Sequence, residues 1–400
     1  MYLGPEPKRP RWPWILLLFL AALAAVGWYL YREQPQTLAR LLAQVPLEKL
    51  PEDLRPRPTV TPTPRVITAG EYLAQGDEAF ENGQMGEAAA LYQQAINAQP
   101  QLARAHARRA LALLLRGSRA EALQEARRAV EIDAQAAESQ AILGMVLDWS
   151  GQPEQAVLAC LKAIELDPKL PMGHAFLAEA YADSDRPEQA LEAAQQAVAL
   201  DENDVWSRRN LGYVYEKMGD YQRAIEEYQR AAVIRPRMGF LYLSMGNNYV
   251  ALQRFDEAIA HFQKATEMDP ADPQGYDQMG WTYFVQEDYE RATVYLRKAV
   301  EVDPTYAIAF GHLGVVAYVQ RNYEDAIEWL TKAVEGGITR VEYYYEIGFS
   351  NIYLEQCDQA IPWLERALEA DPTCELARQG LEQCGVELEL TPVPEATATE

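Results

Sequence analysis

The chain has 400 residues, of which 49% are hydrophobic and 24% are charged, a composition typical of globular proteins and not of a disordered or many-times membrane-spanning chain. Its 59 acidic and 36 basic residues give a formal net charge of −23, which argues against nucleic acid as a partner because phosphate backbones would be repelled. Four cysteines and four histidines are scattered along the chain, so neither a disulfide-dense scaffold nor a multi-ligand metal site is expected.

A short N-terminal tail, residues 1–11, precedes an uncharged segment at 12–31. As a helix rising about 1.5 Å per residue, this segment would span about 30 Å, the thickness of a bilayer's hydrocarbon core. Tryptophan and tyrosine stand at both of its ends, as in the aromatic belts of membrane helices. The sequence therefore predicts a single transmembrane helix in the cell membrane. A cleaved signal peptide, with Lys8, Arg9 and Arg11 as its positive region, is the alternative.

The charges around this segment predict its orientation. More basic residues precede it than closely follow it, which favours a cytoplasmic N-terminus and places the rest of the chain outside the cytoplasm. Residues 32–68 form a juxtamembrane segment and linker. Within it, 36–45 is predicted either as a short amphipathic helix at the membrane surface or as a marginal turn of helix in a linker. Alternating prolines at 56–64 predict a stiff polyproline II spacer.

Self-similarity with a period of 34 residues is the strongest signal in the chain. With Ala69 as position 1, nine units fill residues 69–374 without an insertion or deletion. Position 8 is always glycine or alanine, positions 20 and 27 are always alanine, and position 32 is proline in six of the nine units. Small residues let two helices approach closely, rings at positions 11 and 24 fill the space that remains, and proline ends a helix. Each unit is therefore predicted to be two antiparallel helices, near positions 1–14 and 18–31.

This pattern resembles the tetratricopeptide repeat. In the fifth unit, the residues that match its signature are Leu211, Gly212, Tyr215, Ala224, Tyr228, Ala231 and Pro236. The resemblance covers residues 69–374 and implies an all-α fold, a right-handed α-solenoid of nine helix pairs whose first helices line a concave groove. Because such repeats bury a core only by stacking, residues 375–385 are predicted to form a capping helix. Residues 386–400, rich in proline and threonine, are predicted to be a disordered tail.

The chain carries no recognisable catalytic motif. It has no glycine-rich phosphate loop, no HExxH and no GxSxG, and no segment outside the repeats, the anchor and the linker is long enough for a catalytic domain. His106 and His174 both occupy position 4 of a first helix and are interpreted as packing or surface residues, since no carboxylate or cysteine shares their spacing. We therefore expect no enzyme activity, no cofactor and no metal.

Two cysteines are predicted to lie close together. Cys357 falls in the turn between the helices of unit nine, and Cys384 ends the capping helix, which should finish near the same turn. If the repeats lie outside the cytoplasm, these residues are expected to form a disulfide that holds the cap, and free thiols are the alternative. Cys160, at position 24, is predicted to be a small buried residue.

In the tetratricopeptide family, positions 2, 5, 9 and 12 of each first helix face the groove, so the resemblance implies a peptide-binding groove. From units five to nine it would contain Tyr213, Phe240, Asn247, Trp281, Phe284, Tyr318, Tyr345 and Phe349. From units one to four it would contain Asp77, Glu138, Asp148 and Glu179 beside Leu73, Phe80, Leu111 and Met145. The groove is thus expected to change from acidic to aromatic along the chain. The alternative is that its rings pack against neighbouring first helices or against the chain's own tail.

The resulting prediction is a membrane-anchored scaffold that binds a peptide or protein segment in its groove and assembles a complex at the membrane. Because one half of the groove is acidic, the expected ligand is apolar with basic residues. Two alternatives remain open, a structural or secreted module whose repeats self-associate and a non-catalytic accessory subunit of a membrane enzyme.

Overall fold

The computed structural model of the protein describes residues 12–33 and 67–387. The chain divides into two compact units, Met1–Val66 and Ile67–Glu400. All of the described secondary structure is helical, so the fold is all-α over these residues. The predicted tail at 1–11, the linker stretches predicted at 36–45 and 56–64, and nearly all of the predicted tail at 386–400 lie outside the described residues.

The first compact unit contains one described helix, α1 (Trp12–Glu33). It coincides with the transmembrane helix predicted at 12–31. Within the described part of the chain, however, no helix combines the length and the apolar character that crossing a membrane requires. The prediction of a membrane anchor is therefore not supported by the structure.

The second compact unit consists of the nine predicted helix pairs and a final helix. The pairs of units one to five are α2 (Ala69–Glu81) and α3 (Met85–Ala98), α4 (Ala103–Leu115) and α5 (Arg119–Ile132), α6 (Ala137–Trp149) and α7 (Pro153–Leu166), α8 (Pro171–Asp183) and α9 (Pro187–Leu200), and α10 (Val205–Lys217) and α11 (Tyr221–Ile234). Those of units six to nine are α12 (Gly239–Ala251) and α13 (Phe255–Met268), α14 (Gln274–Val285) and α15 (Tyr289–Val302), α16 (Ala307–Val319) and α17 (Tyr323–Glu335), and α18 (Val341–Tyr353) and α19 (Cys357–Ala370), followed by α20 (Glu375–Gln383). The α-solenoid prediction is confirmed.

The columns of small residues lie where the two helices of a unit meet. The alanines of positions 20 and 27 are buried in all nine units. At position 8, a methyl group added to Gly246 would overlap the ring of Phe262, which is fully buried at position 24 of the same unit. Small residues and large rings therefore fill one contact between them, as the repeat pattern predicted.

The turn inside each unit places one residue, at position 15, in the left-handed backbone region. In four units this residue is glycine, whereas in the other five it is Asp185, Gln253, Glu287, Arg321 or Glu355, with φ between 57° and 63°. Glycine adopts this conformation without steric cost, while an L-residue pays roughly 1–2 kcal/mol. The four units with glycine at position 15 therefore form this turn at a lower conformational cost than the five units with another residue there.

The N-terminal half of the solenoid is curved so tightly that unit one touches the end of unit five. The first helices of units two to five pack closely side by side, and Ala107, Ala141 and Ala175, at position 5 of these helices, are fully buried. As a result, Glu81 Oε1 lies 3.0 Å from Arg235 Nη2. The first helices of units six to nine carry more aromatic residues and pack against one another less extensively.

The contact between units one and five can be measured with one pair of substitutions. A Cβ atom at Gly83 would overlap the carbonyl oxygen of Arg237, whereas one at Gly117 would meet no described atom within 4 Å. Both glycines have nearly the same φ, 78° and 81°. Gly83→Ala is therefore expected to lower the free energy of unfolding by about 1–3 kcal/mol more than Gly117→Ala in urea denaturation. Equal losses would contradict the contact.

The final helix α20 covers the end of unit nine. Ala377 and Leu381 are buried against α19, and the structure pairs Cys357, at the start of α19, with Cys384, just after α20. The two Cα atoms are 5.4 Å apart, a separation that a disulfide spans. Cys160 is free and buried, as predicted. Mass spectrometry without a reducing agent tests the pairing, and two free thiols at Cys357 and Cys384 would contradict it.

Candidate functional site

The apolar residues predicted to line the N-terminal half of the groove are largely covered by the chain itself. Phe80, Leu111 and Met145 are 5%, 0% and 1% exposed, and Leu73 packs partly buried against the same core. The tight curvature of units one to five brings these side chains together. This half of the solenoid therefore holds a continuous core in place of an open apolar groove.

A row of rings closes this core on the side of unit six. Trp206, which is 3% exposed, packs edge-on against Phe176 with 5.4 Å between ring centroids. It also stacks on Phe240 at 5.8 Å. Phe240 was predicted to face the groove, but the structure holds it as a packing residue. The alternative that groove rings pack against neighbouring first helices applies here.

The predicted acidity of this half is largely neutralised. Asp77 accepts a hydrogen bond from the Tyr92 hydroxyl at 2.8 Å and lies 3.6 Å from Arg104. Glu138 pairs with Arg108 at 2.5 Å. Sequence reasoning missed both arginines: Arg104 occupies groove position 2 but was not counted beside the acidic residues, and Arg108 occupies position 6, which is not a groove position. The groove was expected to change from acidic to aromatic along the chain. In its first part, however, most of the acidic residues are paired with arginine.

A second group of charges is buried between units three, four and five. Glu179 and Arg209 form an ion pair in which the side chains are only 3% and 7% exposed. The indole Nε1 of Trp149 donates to Glu179 Oε1 at 2.8 Å. The Arg209 guanidinium lies over the Trp149 ring at 5.4 Å and over the Tyr213 ring at 5.0 Å. We call Asp148, Glu179 and Arg209, together with the exposed Asp183 beside them, the buried charge cluster.

Asp148 is the member of this cluster whose oxygens receive no hydrogen bond from a donor group. It is 5% exposed, and neither of its carboxylate oxygens has a hydrogen-bond partner within the described part of the chain. Burial raises the pKa of Asp148 to about 8, with further contributions from the charges of Glu179 and Asp183 and from a hydrogen bond that the protonated carboxyl shares with Asp183, and Arg209 only partly offsets them. Asp183 in turn accepts from the Tyr213 hydroxyl at 2.6 Å.

Asp148 makes the stability of the fold depend on pH. An aspartate in the unfolded chain loses its proton near pH 3.9, whereas folded Asp148 keeps it up to about pH 8. Between these values the folded state binds more protons, so stability falls as pH rises through this window. Asp148→Asn is expected to remove this fall and to raise the free energy of unfolding at pH 8 by about 1–3 kcal/mol, measured by urea denaturation. The exposed Asp256→Asn is the control, and parallel pH profiles of Asp148→Asn and the unchanged protein would contradict the assignment.

In unit seven the predicted groove rings remain half-buried and stack on one another. Trp281 stacks on Phe284 at 4.7 Å and on the imidazole of His312 at 4.2 Å. His312 Nδ1 lies 2.8 Å from Oδ1 of Asp277, which is fully buried. The carboxylate fixes the imidazole, and the imidazole in turn supports the face of the indole.

The rings of units eight and nine form a second stacked group. Tyr318 packs edge-on against Tyr323 at 6.2 Å, and Tyr323 stacks on Tyr353 at 4.7 Å. Phe349 stacks on Tyr353 at 6.2 Å but is itself only 8% exposed. Phe349 therefore packs on the buried side of this group, whereas the three tyrosines are partly or fully exposed to solvent.

The last two predicted groove residues lie apart from these stacks. Asn247 is exposed on the first helix of unit six. Tyr345 is half-buried against the core that unit nine shares with α20. Of the eight predicted residues, only Trp281, Phe284 and Tyr318 thus belong to the half-buried, stacked rings of units seven to nine.

Two columns of the repeat that sequence reasoning did not use complete this surface. Position 13 is Val285, Val319 and Tyr353 in units seven to nine, and these side chains are 46%, 43% and 52% exposed. Position 17 is aromatic in units five to eight and supplies Tyr289 and Tyr323. The sequence signal that could have identified these two columns is the recurrence of apolar or aromatic residues at the same position of consecutive units. We call Trp281, Phe284, Val285, Tyr289, Tyr318, Val319, Tyr323 and Tyr353 the aromatic rim.

Comparisons with known families identify the repeats. Three family models, each described as Tetratricopeptide repeat, match residues 205–271, residues 73–138 and 278–339, and residues 137–170 and 341–374. Together they cover more than half of the chain, which therefore belongs to the tetratricopeptide repeat family. Unit four, residues 171–204, lies outside these matches and is the unit that carries Glu179 and Asp183.

Several solved structures share the fold at low sequence identity. The Cut9–Hcn1 hetero-tetramer of the APC/C has a TM-score of 0.53 and 15% identity, over 79% of this chain and 76% of that chain. The human IFIT1 dimer with PPP-AAAA has a TM-score of 0.51 and 18% identity, over 75% and 82%. Yeast Tom70 has a TM-score of 0.50 and 14% identity, over 80% and 88%. At these identities the likeness extends to the fold alone. A comparison with curated proteins found no match.

Proposed function

We propose that the protein is a non-catalytic scaffold that binds a segment of a protein partner along the aromatic rim of units seven to nine. The observation that carries this proposal is the exposure of Val285, Val319 and Tyr353 at the same position of three consecutive units. Contiguous exposed apolar surface is typical of interaction sites, and rigid rings supply contact area at low entropic cost.

The geometry of the rim suggests what kind of segment it accepts. The three residues of position 13 belong to neighbouring first helices, and packed helices lie about 8–10 Å apart. The row therefore extends over about 20 Å, which matches about six residues of extended chain or about 13 residues of helix. An apolar segment of this length would lie across the first helices and contact all three units.

Selection of displayed peptides tests this proposal. Peptides selected on the full chain are expected to be rich in apolar residues and to lose at least tenfold in affinity on Val319→Asp, because a charge would be desolvated in the middle of the contact. Val294→Asp is the matched control, since Val294 is 65% exposed on a second helix of unit seven. Equal binding by the two variants would exclude the rim as the site.

A second copy of the chain is the competing occupant of the rim. Self-association would make the sedimentation coefficient of the full chain rise with concentration, and Val319→Asp would abolish that rise. A monomer at all concentrations supports a separate partner. A Val319-dependent dimer would instead favour the self-associating module.

The location of the protein is a separate proposal that rests on its sequence alone. We propose attachment to the cell membrane through residues 12–31, with the repeats outside the cytoplasm, because basic residues are concentrated before this segment. Proteinase K treatment of intact cells is expected to remove a C-terminal tag. A protected tag would overturn the orientation, and release of the full chain by sodium carbonate would overturn the attachment.

A further inference from the structure

A cleft beside the buried charge cluster contains hydrogen-bond acceptors that the protein itself does not use. The cleft has a volume of about 670 Å³ and lies between the second helix of unit two and the first helices of units three to five. Arg119 and Ala120 form its exposed edge, Leu123 and Trp149 form a wall, and Asp148 with Glu179 lies at its inner end.

Three carboxylate oxygens in this cleft lack a donor. These are Oδ1 and Oδ2 of Asp148 and Oε2 of Glu179, none of which is hydrogen-bonded to any described residue. Asp148 and Glu179 are 5% and 2% exposed, so water reaches them poorly. Buried carboxylates are destabilising unless they are paired, protonated or bound to a cation.

Two of the cations near the cleft, Arg209 and Lys217, are already paired, and a third, Arg119, lies at its exposed edge. Arg209 pairs with Glu179 through Nη1 and donates from the same atom to Asn210 Oδ1 at 2.7 Å. Lys217 Nζ lies 3.0 Å from Oδ1 of Asp183 at the outer side of the cluster. Asp148 is thus the carboxylate of the cluster that neither Arg209 nor Lys217 pairs with.

We propose that this cleft, which is formed by units two to five and not by the aromatic rim, binds the ammonium group of a lysine side chain from another part of the protein partner, an inference that rests on the proposed function for the identity of its source. An ammonium group has three donors and is a compact charge, which matches the three free acceptors. The aliphatic part of the side chain would lie along Leu123 and Ala120.

A guanidinium group fits the cleft less well. It would stack on the aromatic wall, but Arg209 already lies over one face of Trp149 and one face of Tyr213. A metal ion is also disfavoured, since the described residues hold no group of three or more His, Cys, Asp or Glu side chains placed to bind one. The ligand chemistry that remains is a primary ammonium on a flexible apolar stem.

Protonation of Asp148 would compete with this cation. Burial, Glu179 and Asp183 raise the pKa of Asp148 to about 8, against the opposing charge of Arg209. An ammonium ion that binds the ionised carboxylate must displace this proton. The affinity for the ammonium ion should therefore increase about tenfold for each unit by which the pH is raised, up to about pH 8. The other charged groups that face the cleft are Arg119 at its edge and Lys217 beside Asp183.

The experiment uses n-butylammonium as the probe and the full chain as the receptor. The indole N–H signal of Trp149, assigned with Trp149→Phe, is expected to shift saturably with n-butylammonium and not with n-butanol at the same ionic strength. Asp148→Asn, which is isosteric, should weaken binding at least tenfold. Arg119→Ala should tighten it by about twofold or more, because a like charge at the exposed edge is removed.

Each result decides the proposal. A missing or unsaturable shift, an unchanged affinity in Asp148→Asn, or tighter binding of n-butylguanidinium would overturn it. Val319→Asp, in the aromatic rim, should bind n-butylammonium as the unchanged protein does. A failure of the lysine site therefore leaves the result on the rim standing, and a failure at the rim leaves the n-butylammonium titration interpretable.

Discussion

Arg209→Met is expected to lower the free energy of unfolding by about 3–5 kcal/mol at pH 7. The substitution leaves Glu179, whose side chain is 3% exposed, without the guanidinium that balances its charge. It also removes a cation that partly offsets the effect of Glu179 and Asp183 on Asp148. Urea denaturation followed by circular dichroism measures the loss.

Two comparisons separate the buried pair from an ordinary surface pair. Adding Glu179→Gln to Arg209→Met should recover much of the lost stability, because no unpaired charge is then buried at position 179. Lys162→Met removes a pair with Glu165 in which the side chains are 40% and 70% exposed, and it should change stability by no more than about 0.5 kcal/mol. A similarly small effect of Arg209→Met would show that water solvates the cluster.

Trp206→Ala is expected to cost about 3–5 kcal/mol, as a large cavity opens in the core of units one to five. The ring is 3% exposed and contacts both Phe176 and Phe240. Trp206→Phe should recover part of the loss because it refills part of the cavity. Thermal and urea denaturation of the three proteins provide the measurement.

Trp281→Ala is the informative comparison for Trp206→Ala. Trp281 is half-buried in the aromatic rim. Trp281→Ala should therefore lower stability less than Trp206→Ala does and lower the affinity for the partner more. The opposite ranking, with Trp206→Ala tolerated and Trp281→Ala unfolding the chain, would reverse the roles assigned to the two halves of the solenoid.

The fold was predictable because the same pattern of small and large residues recurs in all nine repeats. Alanine at positions 20 and 27 indicated the contact within a unit, and these residues are buried throughout. The tight curvature was not predictable, since it accumulates from small rotations between consecutive units. Leu111 and Met145 therefore were expected in a groove and lie in a core.

The charged contacts between units escaped prediction for a related reason. They join side chains that the repeat signature leaves unspecified, as in the pairs of Glu179 with Arg209 and Asp183 with Tyr213. Both pairs, however, are separated by 30 residues, as is the bond from Trp149 to Glu179. A search of the sequence for complementary residues at this offset would have found them.

The contact of Glu81 with Arg235 changes how the array can come apart. In a linear solenoid each repeat contacts only its neighbours, so the ends unfold independently of the middle. Here the pair of Glu81 with Arg235, 154 positions apart, and the close approach of Gly83 to Arg237 give unit one contacts with the end of unit five that must break when it detaches. Backbone amides of units one to five should therefore exchange their hydrogens with solvent as one cooperative block. Units six to eight, between this block and the end covered by α20, are where the solenoid can open locally to adjust to a bound segment.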